Sequence, residues 1–325
     1  MSSPAPPLLE VQNLTKHFPL KRGLLARTVA LVRAVEDVSF TIRAGETLCL
    51  VGESGCGKST VGKLLMRLLE PTEGTIRLDG ADITHLGTGD MRPHRKRMQM
   101  VFQDPYASLN PRLAAGRIVS EPLENYSDIS PKEREARVAE LFEKVGLRAD
   151  AMKRYPFEFS GGQRQRLGIA RALALNPAVI IADEPVSALD VSVQAQVLNL
   201  MMDLQQELGL AYLFVSHDLG VVEHIGHRVA VMYLGRIVEI AEKQALFDAP
   251  LHPYTQALMS AAPIADPHVK RERIVLEGDV PSAVNPPSGC AFHTRCPFAF
   301  DRCRTELPAL KANADGRRVA CHLVN

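Results

Sequence analysis

The segment Gly52-Glu-Ser-Gly-Cys-Gly-Lys-Ser59 has the residue types and spacing of a phosphate-binding loop, G-x-x-x-x-G-K-[ST]. It follows an apolar run and precedes a predicted helix, so backbone N–H groups and the positive end of the helix can face an anion. Lys58 is expected to reach the β- and γ-phosphates of a nucleotide, and Ser59 to bind Mg²⁺. The loop residues predicted to bind nucleotide are Gly52, Glu53, Ser54, Gly55, Cys56, Gly57, Lys58, Ser59 and Thr60.

A pair of acids, Asp183 and Glu184, ends the apolar run Val179 to Ala182. Charge at the end of a buried strand is costly unless a metal or a ligand meets it. Asp183 is suited to hold Mg²⁺, and Glu184 could polarise a water for attack on the γ-phosphate. Taken alone, two solvated acids at a strand end explain the pair equally well. The phosphate loop upstream favours the catalytic interpretation.

A third motif, Phe159-Ser-Gly-Gly-Gln-Arg-Gln-Arg166, stands before a predicted helix. Its backbone N–H groups and the Ser160 hydroxyl could bind an anion, although Ser160 could also serve only as the helix N-cap. With this motif the chain resembles the nucleotide-binding subunits of ATP-binding cassette (ABC) transporters. The resemblance assigns Ser160, Gly161, Gly162 and Gln163 to the family's signature turn.

The same resemblance implies roles for single residues elsewhere. Phe18 matches the aromatic that stacks on adenine, Asp190 the D-loop acid and His217 the switch histidine. Phe159 replaces the leucine that is commonest before the signature turn. In this family, ATP is bound between two subunits arranged head to tail, so each signature turn covers the partner's nucleotide. The resemblance gives Glu184, His217 and Gln103 as catalytic residues, and Ser59, Gln103 and Asp183 as the residues at Mg²⁺.

Alternating strands and helices are expected to position these residues. The sequence predicts strands at Leu8–Phe18, Ala34–Ile42, Glu46–Val51, Val179–Ala182 and Ala211–Val215, and helices ending at Leu69, over Pro131–Val145 and over Asp190–Leu208. This order indicates an α/β fold with a mostly parallel sheet. The resemblance implies a P-loop NTPase core with a RecA-like parallel sheet, an antiparallel β subdomain and an α-helical subdomain. The predicted boundaries are a disordered tail at 1–7, an ATPase domain at 8–245 with its helical subdomain at about 105–160, and a cysteine-rich extension at 246–325.

Composition restricts the classes of function. The 325 residues are 46% hydrophobic and 23% charged with a net charge of +1, which is typical of a globular protein and gives no reason to expect a nucleic-acid partner. No apolar stretch is long enough to span a membrane. The N-terminus lacks the basic and apolar regions of a signal peptide, so a cytosolic location with reduced thiols is expected.

Four of the six cysteines follow residue 289: Cys290, Cys296, Cys303 and Cys321. Their separations of 5, 6 and 17 residues contain no C-x-x-C pair, so the spacing alone leaves three interpretations open. These are incidental buried thiols, a Zn²⁺ site and an iron–sulfur cluster. The stretches 104–112, 252–256 and 278–290 resemble ATPase subunits of bacterial peptide importers. This resemblance favours the last interpretation, because such subunits with this C-terminal pattern are understood to carry a [4Fe–4S] cluster.

Three stretches resemble the subfamily of ABC subunits that powers bacterial peptide uptake: 104–112, 252–256 and 278–290. The resemblance is greatest to dipeptide-importer ATP-binding subunits, and it implies a sister ATPase subunit, two transmembrane permease subunits and a periplasmic or lipid-anchored solute-binding protein. It also implies a peripheral position on the cytoplasmic face of the inner membrane. The alternatives to a peptide-importer subunit are an importer ATPase for nickel or another small solute, an exporter ATPase, and a soluble ABC ATPase acting on nucleic acid or ribosomes. The last usually carries coiled-coil insertions or a duplicated cassette, which this sequence lacks.

Overall fold

The structure, a computed structural model, describes residues 6–22, 27–261 and 274–324. Most of the tail predicted at residues 1–7 lies outside this described part. The strands are β1 Leu9–Arg22, β2 Arg27–Ile42, β3 Thr47–Val51, β4 Glu73–Leu78, β5 Ala81–Asp82, β6 Met98–Val101, β7 Val179–Asp183, β8 Ala211–Ser216, β9 Arg228–Tyr233, β10 Arg236–Glu242, β11 Lys311–Ala312 and β12 Arg318–Val319. The helices are α1 Lys58–Leu65, α2 Met91–Arg97, α3 Pro105–Ser108, α4 Ala115–Tyr126, α5 Pro131–Lys144, α6 Gly161–Leu173, α7 Val191–Leu208, α8 Leu219–Ile225, α9 Lys243–Asp248, α10 Pro253–Ala261 and α11 Asp301–Thr305.

The chain divides into two compact units that interleave along the sequence. The first unit contains Met1–Leu8, Ile42–Glu46 and Leu86–Val215, and the second contains Leu9–Thr41, Thr47–His85 and Ser216–Asn325. The cysteine-rich stretch therefore belongs to the same compact unit as the phosphate loop. The domain boundary near residue 245 stays a prediction.

Three parallel strands form the sheet of the first unit in the order β8-β7-β6. Val179 pairs with Ala211 on one side and with Met98 on the other. All five residues of β7 are buried, as expected for a parallel strand covered on both faces. Between residues 105 and 160, the described elements are α3, α4, α5 and two short 3₁₀ helices.

Two groups of strands occur in the second unit. One is a four-stranded sheet in the order β2-β1-β4-β5, in which Leu9 pairs with Leu78 across antiparallel strands. The other has the order β11-β12-β10-β9-β3. In this group β3 runs parallel to β9, whereas β12 near the C-terminus pairs antiparallel with β10, Val319 opposite Glu239. The C-terminal extension thus adds its own strands beside those that follow the phosphate loop in sequence.

The α/β class predicted from the sequence is confirmed, with differences at element ends. Helix α1 ends at Leu65 rather than Leu69, because Arg67 has a left-handed backbone with φ of 53° that cannot continue a helix. Strand β1 continues to Arg22, beyond the predicted end at Phe18. Helix α5 begins at Pro131 after the N-cap Ser130, close to the prediction.

Candidate functional site

The phosphate loop leaves β3 at Val51 and enters α1 at Lys58. The backbone path of the loop requires glycine at two positions. Gly52 has φ of 153° and Gly57 has φ of 106°, and a Cβ atom at these positions would lie 2.2 Å from the Met232 carbonyl oxygen and 2.1 Å from the Ala34 carbonyl oxygen. Backbone atoms cannot move aside as a side chain can, so any other residue at either position would displace the loop.

Lys58 lies inside this loop and is 4% exposed. Its Nζ donates hydrogen bonds to the carbonyl oxygens of Gly52 at 2.8 Å and Glu53 at 3.0 Å. A longer contact of 3.9 Å joins Nζ to the Cys56 sulfur. These partners are all uncharged, and a buried ammonium group held by uncharged partners favours the approach of an anion. This charge, together with the N-terminal end of α1, makes the loop suited to a polyanion such as a triphosphate.

Cys49 and Cys56 lie close to the loop but are not suited to react as thiolates. Burial raises the pKa of both thiols above the ordinary value, most strongly for Cys49, which is fully buried. Thiols with raised pKa values are poor nucleophiles at neutral pH. Cys49 before the loop and Cys56 within it therefore serve as buried packing residues.

Asp183 is the last residue of β7 and is 5% exposed, and Glu184 directly follows it. Glu184 has a left-handed backbone with φ of 46°, and its N–H donates to the Val215 carbonyl oxygen at 3.0 Å. The Nε2 of Gln103 donates to the Glu184 Oε2 at 3.0 Å. The structure thus brings together two of the three predicted catalytic residues. A left-handed conformation at a non-glycine residue is an uncommon strain that is concentrated at functional sites.

The signature turn opens α6. The Ser160 hydroxyl accepts from the Gln163 N–H at 3.3 Å, and the Gln163 side chain accepts from the Ser160 N–H at 3.0 Å. This reciprocal pair is a capping box. Gly162 packs against α7, where a Cβ would lie 2.3 Å from Cγ1 of Val193. Phe159 is buried, while Ser160, Gly161 and Gln163 are exposed, so the polar edge of the turn is available to a partner molecule.

Asp190 caps the next helix, α7. Its carboxylate accepts from the Val193 N–H and the Ser192 hydroxyl, both at 3.0 Å. These hydrogen bonds hold the pKa of Asp190 below its ordinary value, and the one from the Val193 N–H has the largest effect. The predicted D-loop acid therefore has at least one structural role of its own, as a helix cap.

The remaining predicted residues, Phe18 and His217, lie in the second unit. Phe18 is half-buried in β1, with the Lys16 ammonium 5.1 Å from the centre of its ring. His217 is exposed and directly follows β8. The phosphate loop also belongs to the second unit, whereas Gln103, Asp183, Glu184, the signature turn and Asp190 belong to the first.

Two residues at the phosphate loop were not predicted from the sequence. The Tyr254 hydroxyl accepts from the Glu53 N–H at 2.9 Å. Arg295 forms an ion pair with the Glu53 carboxylate at 2.8 Å. Tyr254 lies within the stretch 252–256 that had marked the subfamily, and Arg295 directly precedes Cys296, so both were adjacent to recognised motifs. Neither motif indicated a contact with the loop.

The four C-terminal cysteines influence one another electrostatically. The pKa of Cys290 is raised to about 11, mainly by burial and to a smaller extent by the nearby thiolates of Cys303, Cys321 and Cys296. Backbone hydrogen bonds act on three of the sulfurs, each from the residue two positions later: Phe292 on Cys290, Phe298 on Cys296 and Leu323 on Cys321. Among the described residues, no group of three or more His, Cys, Asp or Glu side chains is placed to hold one metal ion.

Within the described ranges, no helix combines the length and apolar character that a membrane crossing requires.

Residues 35–187 match the family described as ABC transporter, and residues 238–303 match the oligopeptide/dipeptide transporter C-terminal region. The probable peptide ABC transporter ATP-binding protein y4tS of Sinorhizobium fredii is 64% identical over 97% of this chain and 90% of its own length. The oligopeptide transport ATP-binding protein AppF of Bacillus subtilis is 56% identical, covering 97% of each chain. The dipeptide transport ATP-binding protein DppF of Haemophilus influenzae is 54% identical over 97% of this chain and 96% of its own.

Solved structures give the same fold. A dimeric, post-hydrolysis structure of the ATP-binding cassette MJ0796 with ADP and Pi superposes with a TM-score of 0.64 and 30% identity, covering 72% of this chain and 98% of that one. The cbiO1 protein of Clostridium perfringens is part of the ABC transporter complex cbiONQ. It has a TM-score of 0.65 and 26% identity, covering 75% of this chain and 91% of that one.

Proposed function

This chain belongs to the ATP-binding subunits of ABC transporters, in their peptide-importer branch, and we propose that it hydrolyses ATP to power the uptake of dipeptides or oligopeptides. The observation that carries the proposal is the phosphate loop, in which the buried Lys58 ammonium donates to the backbone carbonyl oxygens of Gly52 and Glu53. The identity of more than half over almost the whole length of named peptide-transport subunits supports the transported class.

Binding of ATP is assigned to the loop 52–60 and to Phe18, which stacks on the adenine. The Lys58 ammonium binds the β- and γ-phosphate oxygens. Ser59 and Asp183 would hold Mg²⁺, with Gln103 beside it, and the ion would neutralise charge on the phosphates. Hydroxyl and carboxylate oxygens are ligands that Mg²⁺ prefers, which supports this set of residues.

Hydrolysis is assigned to Glu184, Gln103 and His217. The Glu184 carboxylate orients the attacking water and accepts its proton. Gln103 already donates to that carboxylate at 3.0 Å, which limits the directions in which Glu184 can point. His217 contacts the γ-phosphate and stabilises the charge that develops there. Positioning and charge stabilisation of this kind account for most of the catalysis of phosphoryl transfer.

A sister ATPase subunit completes the site. The exposed signature residues Ser160, Gly161 and Gln163 bind the nucleotide held by the sister subunit's phosphate loop, and Asp190 lies at the same interface. ATP binding closes the pair and hydrolysis opens it, which drives the two membrane permease subunits. A solute-binding protein delivers the peptide, and the chain stays on the cytoplasmic face of the inner membrane.

The four C-terminal cysteines are proposed to hold a [4Fe–4S] cluster. Four mutually interacting thiols, three with hydrogen bonds from backbone N–H groups, fit a group of bound thiolates. Four thiolates would also suit Zn²⁺. The resemblance to peptide-importer ATPase subunits is what favours the cluster. When bound, the cluster would supply folding energy to a stretch with few regular elements.

ATP-dependent pairing with the sister subunit tests the proposal. The two ATPase subunits are purified together, and their association is measured by size-exclusion chromatography with and without ATP. We expect Glu184→Gln, which slows hydrolysis, to accumulate the ATP-bound pair, and Lys58→Ala to abolish ATP-dependent pairing. Pairing that is the same with and without ATP, or that is unchanged in Lys58→Ala, would contradict the assignment of ATP binding to the phosphate loop.

A further inference from the structure

An ion pair links the cysteine-rich stretch to the phosphate loop. Arg295 lies between Cys290 and Cys296, and its guanidinium donates to both carboxylate oxygens of Glu53, at 2.8 Å and 3.2 Å. The Arg295 side chain is 8% exposed and that of Glu53 28%. This two-bonded geometry within a poorly solvated setting is the stronger class of ion pair. It fixes the direction of the carboxylate at the second residue of the loop.

The main chain of Glu53 is held as well. Its N–H donates to the Tyr254 hydroxyl at 2.9 Å, while its carbonyl oxygen accepts from Lys58 Nζ at 3.0 Å. Tyr254 and Arg295 both follow residue 245, so the C-terminal stretch holds one side of Glu53 and Lys58 holds the other. The position of Glu53 therefore depends on residues outside the nucleotide-binding loop.

The groups that hold Glu53 are themselves rigid. The Phe292 ring, 1% exposed, packs against the rings of Tyr233 and Tyr254, with centres 5.2 Å and 5.4 Å away. At the start of α10, the buried Glu239 carboxylate accepts from the His252 N–H at 2.9 Å. Buried aromatic contacts of this kind leave the Tyr254 hydroxyl little freedom to move.

We propose that Arg295 favours nucleotide binding by acting through Glu53: its guanidinium neutralises the Glu53 carboxylate at the edge of the phosphate loop. An uncompensated carboxylate near a triphosphate repels it, and the repulsion is strong where water is partly excluded. This inference rests on the proposed binding of ATP by the loop. It adds a determinant of ATP affinity that lies in the C-terminal stretch and touches no nucleotide.

Three variants of the full chain, purified with its sister subunit, test the inference: Arg295→Gln, Glu53→Gln and the double variant. Affinity is measured by equilibrium titration with a fluorescent ATP analogue, and KM and kcat are measured by phosphate release. Arg295→Gln leaves a bare carboxylate, so we expect about tenfold weaker binding, reflecting loss of a charge-assisted pair. The KM for ATP should therefore rise, while kcat should change less.

The double variant separates charge from structural support. Removing both charges should restore affinity to within about threefold of the wild type, because no carboxylate remains to repel the phosphates. Glu53→Gln alone leaves the Arg295 charge unpaired and should bind ATP at least as tightly as the wild type. If the Arg295–Glu53 ion pair served only to support the loop structure, both single variants and the double variant would bind ATP more weakly than the wild type.

Arg302→Gln is the matched control, since it removes an arginine from the same stretch whose partner, Glu306, is exposed. It should leave affinity unchanged. If Arg295→Gln fails to fold, Glu53→Gln still tests the inference, because weaker ATP binding by that variant would overturn it. Wild-type protein that binds no nucleotide would refute the proposed function itself, whereas wild-type binding with unaltered affinity in Arg295→Gln would refute only the role of Arg295.

Discussion

The side chains of Gln103 and Glu184, 81 residues apart in sequence, are joined by a hydrogen bond of 3.0 Å from the amide Nε2 to the carboxylate Oε2. The first residue follows β6 and the second follows β7, and these strands are parallel neighbours. Since parallel strands present their carboxyl ends at one edge of a sheet, the pairing brings the two side chains together. An amide donor that fixes a carboxylate is suited to support a general base.

Glu184→Gln tests that role. The variant keeps the size of the side chain but cannot accept a proton, so ATP turnover should fall by about 10²- to 10⁴-fold, whereas ATP binding is retained. Turnover is measured by phosphate release and binding by titration with a fluorescent analogue. A variant that hydrolyses ATP at the wild-type rate would remove Glu184 from the role of base.

Ser160→Ala tests the signature turn against a matched helix cap. Ser160 and Ser130 both form capping boxes and both are exposed. Either change to alanine should cost about 1 kcal/mol of unfolding free energy. Only Ser160→Ala should also lower ATP turnover in the pair with the sister subunit. Equal activity in the two variants would mean that Ser160 is a cap and nothing more.

Gly57→Ala should disrupt the phosphate loop. The added Cβ would lie 2.1 Å from a backbone oxygen, at a φ that disfavours any side chain, so loss of nucleotide binding or of folding is expected. Gly168→Ala in α6 is the control, because among the described residues no atom apart from the nearby backbone of its own helix would lie within 4 Å of the added Cβ. That change should stabilise the protein by up to about 1 kcal/mol in thermal unfolding. A loop that tolerates Gly57→Ala would contradict the geometry described.

Cys296→Ser tests the proposed cluster. Wild-type protein purified without oxygen should contain about four irons and four sulfides per chain and absorb broadly in the blue. The variant should lose most of this iron, whereas Cys49→Ala, which removes a buried thiol elsewhere, should keep it. One zinc and no iron in the wild type would favour a structural zinc site, and no metal would leave four incidental thiols.

Much of the site could be predicted because it is local in sequence. Strands β3 and β7 are buried parallel strands, whose continuous apolar residues are recognisable without a structure. Ser160 and Asp190 cap helices within three residues of themselves, so their signals are also short. Short-range patterns of this kind are the ones from which sequence reasoning works.

Other features depend on distant residues. Glu53 and Arg295 are 242 residues apart, so no local pattern could indicate their ion pair. Strand β4 is only partly buried and has no clear alternation, and β12 has two residues, so neither gives a periodic signal. The left-handed residue Arg67, which ends α1 early, belongs to a type that rarely adopts this conformation.

The most direct test of the central claim is peptide uptake by cells in which this chain is the only copy of its subunit. Uptake of a radiolabelled dipeptide is compared between cells with the wild-type chain and cells with an equal amount of Glu184→Gln. We predict that the wild type restores uptake and that the variant, which assembles but does not hydrolyse ATP, does not. Uptake at the wild-type rate with Glu184→Gln, or none with the wild-type chain for any peptide, would contradict the account.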